Sequence, residues 1–501
     1  MLAWTIYISF LGAASLMLLP ESKPRLARIV ALHAALAGFV LALIALFQQG
    51  QGEHPGALTD IVRHSWIPDL GIEFHLAADG ISLTLVLLTG IAAVAGVLFS
   101  WNIERRTREF FALYLTLIGA VYGVFLSFDL FLLFVFYELA IIPKYFLIAI
   151  WGSTRREYGA MKLAIYSFVG SHLVLIGLIA AWVVARVQLG HPSLNLMELS
   201  QVHFSSGFQH WVFPLVFIGF AILAGMWPFH TWAPTGHVAA PTAGSMLLAG
   251  VVMKLGAYGF LRVAMVMFPE GVRMWQGEIA ALAVIGIIYG AGVALVQRDF
   301  KFVIGYSSVS HMGFVLLGLA TLNTIGLSGA VLQMFSHGII AGLLFAVVGR
   351  MVYDRTHTRD FNDLQTMQLG KLLPFAGVTF VLAGVASMGL PGFSGFVAEL
   401  QVLMGAWKVF PKTTLLAGVG IIVGVAYTMR AMQKAFYSDS PPAKPGHSHP
   451  LEPITVPERL GAMMLLAASL AIGLFPGLLL DWIQPCLNSP LFERLLKGGS
   501  L

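Results

Sequence analysis

Glu138, Lys144, Lys254 and Glu399 lie inside long apolar runs, where an ionisable group has no ordinary reason to be. Glu138 and Lys144 share "LFLLFVFYELAIIPKYFLIAIWG", Lys254 is in "SMLLAGVVMKLGAYGFL", and Glu399 follows "MGLPGFSGFVA". His172, His230, His237, His311 and His337 lie in or beside runs of the same kind. In a hydrocarbon layer each charge costs roughly 2.5–3.5 kcal/mol on insertion scales. A single buried acid–base pair could simply lock two helices together. A series of acids, lysines and histidines spread along the chain instead has the make-up of a proton relay. Burial brings carboxyl and amine pKa values towards one another, so a proton can pass between them near neutrality.

The elements that hold these residues must be membrane helices. Of 501 residues, 58% are hydrophobic and 11% charged, against roughly 25% charged in soluble domains. Apolar stretches of about 20 residues recur from end to end, each long enough to cross a ~30 Å core. We place spans at 2–20, 27–48, 80–100, 110–127, 130–151, 160–185, 211–233, 241–265, 277–297, 303–322, 326–349, 373–405, 413–433 and 459–482. Fourteen spans leave both termini on one side of the membrane.

If that side is the outer one, nineteen of the 29 Lys and Arg residues, Arg350 and Arg355 among them, fall in inner loops or at inner span ends. Eight, Arg262 among them, fall in outer loops or at outer ends, and Lys144 and Lys254 lie deep inside spans. The excess obeys the positive-inside rule. The net charge of +5 therefore reports topology, not nucleic-acid binding. The first apolar stretch has no basic leader before it and reads as a retained helix rather than a signal peptide. The segment 436–458, with its "SPPAKPGHSHP", reads as a mobile inner loop. Cys486 is the one cysteine, too few for a disulfide, an iron–sulfur cluster or a thiolate zinc site.

Two spans carry helix breakers in their middles. One holds "GMWPFHTWAPTGH", with Pro228 and Pro234; the other holds "MGLPGFSGF", with Pro391, Gly392 and Gly395. Proline removes a backbone donor, and a break at membrane depth is tolerated only where protein or water satisfies the freed groups. The breaks fall in the seventh and twelfth spans, five apart. Five is odd, so a five-helix unit repeated once is inverted. Matched broken helices in inverted repeats mark a midplane ion path. The expected fold is an all-α integral membrane protein. Residues 1–108 form an N-terminal three-helix segment. The repeats are 109–265 (helices 4–8) and 277–435 (helices 9–13), followed by a last transmembrane helix at 459–482.

With these residues in view, the chain resembles the antiporter-like membrane subunits of the proton-pumping NADH–quinone oxidoreductase (complex I) family. The likeness is strongest to the M branch, numbered four in mitochondria. It is carried by "HLAADGISL" at 75–83, "FYELAIIPKYFLIAIWG" at 136–152 and "HVAAPTAGSMLLAGVVMKLGAYGFLR" at 237–262. It continues in "DFKFVIGYSSVSHMGFVLLGL" at 299–319, "FSHGIIAGLLF" at 335–345 and "GLPGFSGFVAEL" at 389–400.

The resemblance implies roles. Glu138 modulates the channel lysine, Lys254 is the centre of the polar axis, and His311 and His337 relay. His237 closes the broken seventh helix, Glu399 hands protons outward, and Lys301 is an inner-side lysine of less defined role. Relatives carry a lysine in the seventh helix, where this chain has Leu223. Lys144, about 9 Å from Glu138 along a helix, either supplies that ammonium from another position or snorkels to the inner interface. The resemblance further implies sister antiporter-like subunits as partners within a bacterial inner membrane. It places no cofactor in this chain, and assigns NADH, FMN, iron–sulfur clusters and quinone to partner subunits. The alternatives are a D-type subunit of a multisubunit cation/proton antiporter and the matching subunit of a membrane-bound hydrogenase. A stand-alone solute carrier would need a substrate pocket to which nothing in the chain points, and a bare scaffold leaves Lys254 and Glu399 without a reason.

Overall fold

Apolar runs in lipid can satisfy their backbone only as helices or closed barrels, and this chain takes the helical solution. The computed structural model describes residues 1–50, 57–438 and 451–497. Twelve of its described helices are long and apolar enough to cross a membrane, from Pro24–Gln48 to Val456–Leu474. Two shorter apolar helices, Ala3–Leu18 and Pro374–Ser387, add to them. Most of the proline-rich stretch expected to be mobile, 439–450, lies outside the described residues.

Several boundaries differ from the sequence reading. The span expected at 373–405 is two helices, Pro374–Ser387 and Ser394–Trp407. The last expected span stops at Leu474 and is followed by Gly477–Leu487 and Pro490–Lys497. The stretch between the spans expected at 27–48 and 80–100 contains a hairpin, β1 (Thr59–Ile67) against β2 (Ile72–Ala78), paired antiparallel with Arg63 opposite His75. Gly71, at φ 67°, makes its turn, a left-handed conformation that glycine adopts without penalty.

Hydropathy does not rank the helices, because lipid accepts an apolar face as readily as protein does. Burial does. Thr242–Met265 and Thr324–Thr356 are 100% buried over their apolar windows, whereas Pro24–Gln48, Pro411–Phe436 and Val456–Leu474 are 33% buried. The first two form the centre, and they carry Lys254 and His337.

The breaks expected in the sequence are present, with one correction. Ser206–Ala224 ends at Gly225, and a helical turn at Phe229–Thr231 leads into Trp232–Ala239. Pro228 lies in that interruption, but Pro234 does not break anything. It occupies the first turn of Trp232–Ala239, where the missing N–H would have had no helical partner. Three π-helical turns, at Leu248–Val252, Phe260–Met265 and Val347–Tyr353, went unread in the sequence.

One pattern occurs twice. Asp129 forms an isolated antiparallel bridge with Asn195, and Asp299 forms one with Asp360. In the first, Leu130 N donates to Leu194 O and Leu196 N to Phe128 O; in the second, Phe300 N donates to Arg359 O and Phe361 N to Arg298 O. Asp129 and Asp299 each cap the helix that follows, and short helices Leu196–Leu199 and Phe361–Leu364 follow the two partners.

Candidate functional site

Lys254 lies just after the π-helical turn Leu248–Val252 of the central helix. A π-turn disturbs the regular hydrogen-bond ladder and is common at functional sites. Here the Lys254 ammonium donates to the carbonyl of Ala249, five residues back. Its second partner is His337 Nδ1 at 2.7 Å. Two glycines allow this contact. A Cβ on Gly338 would stand 2.6 Å from the carbonyl oxygen of Gly250, so the two helices touch backbone to backbone beside the pair. Gly256 does the same for the neighbouring helix, where a Cβ would meet Phe220 O at 2.4 Å.

Beyond His337 the line continues. The rings of His337 and His311 stack at 5.5 Å between centroids and 29° between planes. His311 Nδ1 is 3.0 Å from Glu399 Oε1, and its Nε2 is 3.1 Å from Ser387 Oγ. Gln333 Nε2 donates to the same Glu399 oxygen at 3.3 Å. The interruption between Ser387 and Ser394 makes room for this cluster. Around it is a cavity of about 270 Å³ that also exposes the hydroxyls of Ser307 and Ser336. The structure thus brings Lys254, His337, His311 and Glu399 into one row.

His237 and Lys301 lie on the other side of Lys254. Lys301 is 3% exposed, and its Nζ donates to the carbonyls of Ala240 at 2.7 Å and Val238 at 3.2 Å. Those carbonyls belong to the end of the broken helix that carries His237. The His237 ring is buried with neither nitrogen hydrogen-bonded, and it is within Coulombic reach of both Lys254 and Lys301. A buried polar group left in that condition invites water. The His230 ring nitrogens are in the same state. His172 is not part of any row: it is exposed and bonds only the Phe168 carbonyl of its own helix at 2.7 Å.

Glu138 and Lys144 form a separate group. Their span steps at Ala140 from Leu130–Leu139 to Ile141–Trp151. Lys144 is 2% exposed, so protein surrounds its ammonium. It is within Coulombic reach of Glu138, yet no direct ion pair joins them, and Glu138 Oε1 is buried without a hydrogen-bond partner. Leu223 is buried and apolar.

Other charged groups went unread as pairs. Arg262, counted with the outer loops, is fully buried and bonds Asp79 Oδ1 at 2.6 Å. Asp79 also accepts from Cys486 Sγ at 2.9 Å. Arg350 and Arg355, counted with the inner loops, are buried on Glu458, with contacts of 2.5 and 2.8 Å. Only sequence separation hid these pairs. Among the described residues no group of three His, Cys, Asp or Glu side chains is placed to hold a metal ion.

The chain is similar in sequence and in fold to known proteins. The family described as NADH:quinone oxidoreductase/Mrp antiporter, TM, matches residues 127–424, more than half of the chain. The chain is 35% identical over 468 residues to the NADH-quinone oxidoreductase subunit M of Rhodobacter capsulatus, covering 92% of this chain and 90% of that one. It is 37% identical over 487 residues to an NAD(P)H-quinone oxidoreductase chain 4 of Synechococcus elongatus, covering 94% and 88%. Its structure matches a chain of respiratory complex I from Thermus thermophilus with TM-score 0.88 and 27% identity, covering 99% of this chain and 100% of that one. A chain of the Mrp complex from Dietzia, at 20% identity and TM-score 0.84 with 99% and 97% covered, shares the fold.

Proposed function

Because the chain belongs to the NADH:quinone oxidoreductase/Mrp antiporter family of transmembrane proteins, we propose that it is a proton-translocating membrane-arm subunit of an NADH–quinone oxidoreductase. The observation that carries this reading is the row Lys254, His337, His311 and Glu399 on two fully buried helices and their neighbours. Four ionisable groups in lipid are costly, and a lock between helices needs only two of them.

The row supports a directional hand-over. Protonated Lys254 donates to His337 Nδ1, which then becomes the proton acceptor, and the proton on Nε2 leaves to water. No direct hydrogen bond joins the stacked rings, so water in the cavity bridges to His311. His311 Nδ1 delivers to Glu399, whose oxygen also accepts from Gln333. The chain's part is to hold, pass and release protons. Lys144 and Glu138 form the modulating pair: a change in their separation alters the field at Lys254, and in a low-dielectric interior a few ångströms matter. The free energy arrives from quinone reduction in partner subunits, which hold NADH, FMN, iron–sulfur clusters and quinone.

The chain lies in a bacterial inner membrane with both termini outside and sister antiporter-like subunits beside it. The twin bridges at Asp129–Asn195 and Asp299–Asp360, each followed by a short helix, support two inverted five-helix units at 109–265 and 277–435.

Extraction of the chain with its companions in mild detergent tests the assignment. Flavin and iron–sulfur companions with NADH-driven quinone reduction are expected. Small membrane companions with no redox cofactor would make it a cation antiporter subunit instead.

A further inference from the structure

A second cavity, of about 580 Å³, opens on the face that carries Arg105, Arg106, Arg155 and Arg298. Under the proposed orientation this is the inner face. Its polar lining includes Asn102, Ser153, Thr242, Lys301, Tyr353 and Asp354. Lys301 is its amine and Asp354 its carboxyl, and they come from different helices.

Lys301 presents its amine to this cavity while holding the carbonyls of Val238 and Ala240. An ammonium has three donors, so two carbonyls leave one N–H in the charged form, or the lone pair in the neutral form, for a cavity partner. Asp354 is at the end of the Thr324–Thr356 helix, with its side chain 33% exposed. Its Oδ2 is held by Arg350 at 3.2 Å, and Arg350 is fixed in turn by Glu458 at 2.5 Å. Asp354 and Lys301 are within Coulombic reach of one another, as are Asp299 and Arg359, but Asp354 and Lys301 form no direct ion pair. A carboxylate used only as a helix partner for Arg350 would not need to face a polar cavity shared with a buried lysine.

We propose that Asp354 is the proton-collecting group of a hydrated inner vestibule and passes protons through cavity water to Lys301. An O–H bond of inner-side hydronium breaks as the Asp354 O–H forms. That proton then moves onto water and from water onto the neutral Lys301 amine, which restores the carboxylate. Arg350, clamped by Glu458, keeps the carboxylate at the mouth. This inference rests on the proton-translocating reading above and adds a group to it.

The test uses inverted membrane vesicles carrying the whole complex, with Lys254→Met as reference. Asp354→Asn is expected to lower coupled proton uptake and quinone reduction about tenfold or more, the low end for a positioned proton-transfer group, while Asp354→Glu retains most of both. A parental rate in Asp354→Asn beside a dead Lys254→Met overturns the vestibule alone. Parental rates in both overturn the translocation reading as well. If Asp354→Asn does not assemble, Asn102→Cys decides. A membrane-impermeant maleimide should label it from the inner side only and slow turnover, and failure to label from that side overturns the proposal.

Discussion

Gly250 and Gly338 press their backbones together next to Lys254 and His337, whose Nζ and Nδ1 lie 2.7 Å apart. A methyl group on Gly338 would meet the Gly250 carbonyl oxygen at 2.6 Å, and one on Gly250 the Gly338 oxygen at 3.1 Å. Gly338→Ala is therefore expected to part the helices and slow coupled turnover about tenfold, the low end of a lost proton-transfer contact, in a complex that still assembles. Gly342→Ala, one turn on and with nothing within 4 Å of its added Cβ, should behave as the parent. Equal rates for the two variants would show that this spacing does not govern the step.

Lys144 should be indispensable if it provides the ammonium that relatives carry in the seventh helix. Lys144→Met is expected to abolish most coupled proton uptake. Adding Leu223→Lys to Lys144→Met should restore part of it, since it returns the charge to the place used by relatives. Proton uptake that survives Lys144→Met unchanged would remove Lys144 from the mechanism.

Glu458 neutralises Arg350 and Arg355 at once. Glu458→Ala leaves the buried Arg355 guanidinium without a carboxylate and Arg350 with Asp354 alone, which costs on the order of 3–5 kcal/mol. A fall of several degrees in the thermal transition of the detergent-solubilised complex is expected. An unaltered transition would mean that water already screens the cluster.

Partial burial favours a raised pKa for Glu73 in β2, but hydrogen bonds from Arg63 and Asn195 and the Arg63 charge outweigh it and hold the carboxyl below its ordinary 4.5. The sign follows directly. A depressed pKa contributes stability that is present above 4.5 and is lost as pH falls through the lower, folded value. Arg63 is 45% exposed, so solvent screening limits the pair to at most about 1 kcal/mol. A nitroxide on Ser65→Cys should gain mobility only in that acid range, and Arg63→Met should make it mobile at every pH. A label whose mobility ignores pH in the parent would exclude the pair as the hairpin's latch.

Much of this site can be read along the chain. Lys254 and Glu399 stand out because apolar neighbours make a charge conspicuous, and the Pro-Gly break before Glu399 marks where a helix must open. The row itself is less legible. His311 and His337 meet only because distant helices pack through glycines, and a glycine in a membrane helix looks the same whether it faces lipid or another backbone. The π-turn before Lys254 has no residue signature, since its cause is tertiary packing. Arg262 reads as a loop cation because Asp79, its partner, is 183 residues away. Lys144 reads two ways in the sequence because periodicity gives its height in the membrane but not whether protein or lipid covers it.

The Arg262 end of the central helix is closed by residues made much later. Asp79 and Arg262 are joined by Cys486, 407 positions beyond Asp79, and Phe492 lies against the Arg262 guanidinium at 5.6 Å. Arg494 then ties back to the carbonyls of Ser200 and Val202. During synthesis the helices beginning at Gly80 and Thr242 are thus threaded into the bilayer while this corner is still open. Completion of the fold is registered only when the segment from Gly477 onward arrives. A chain that stops before that point holds every central helix but lacks Cys486, Phe492 and Arg494, the contacts that close this corner.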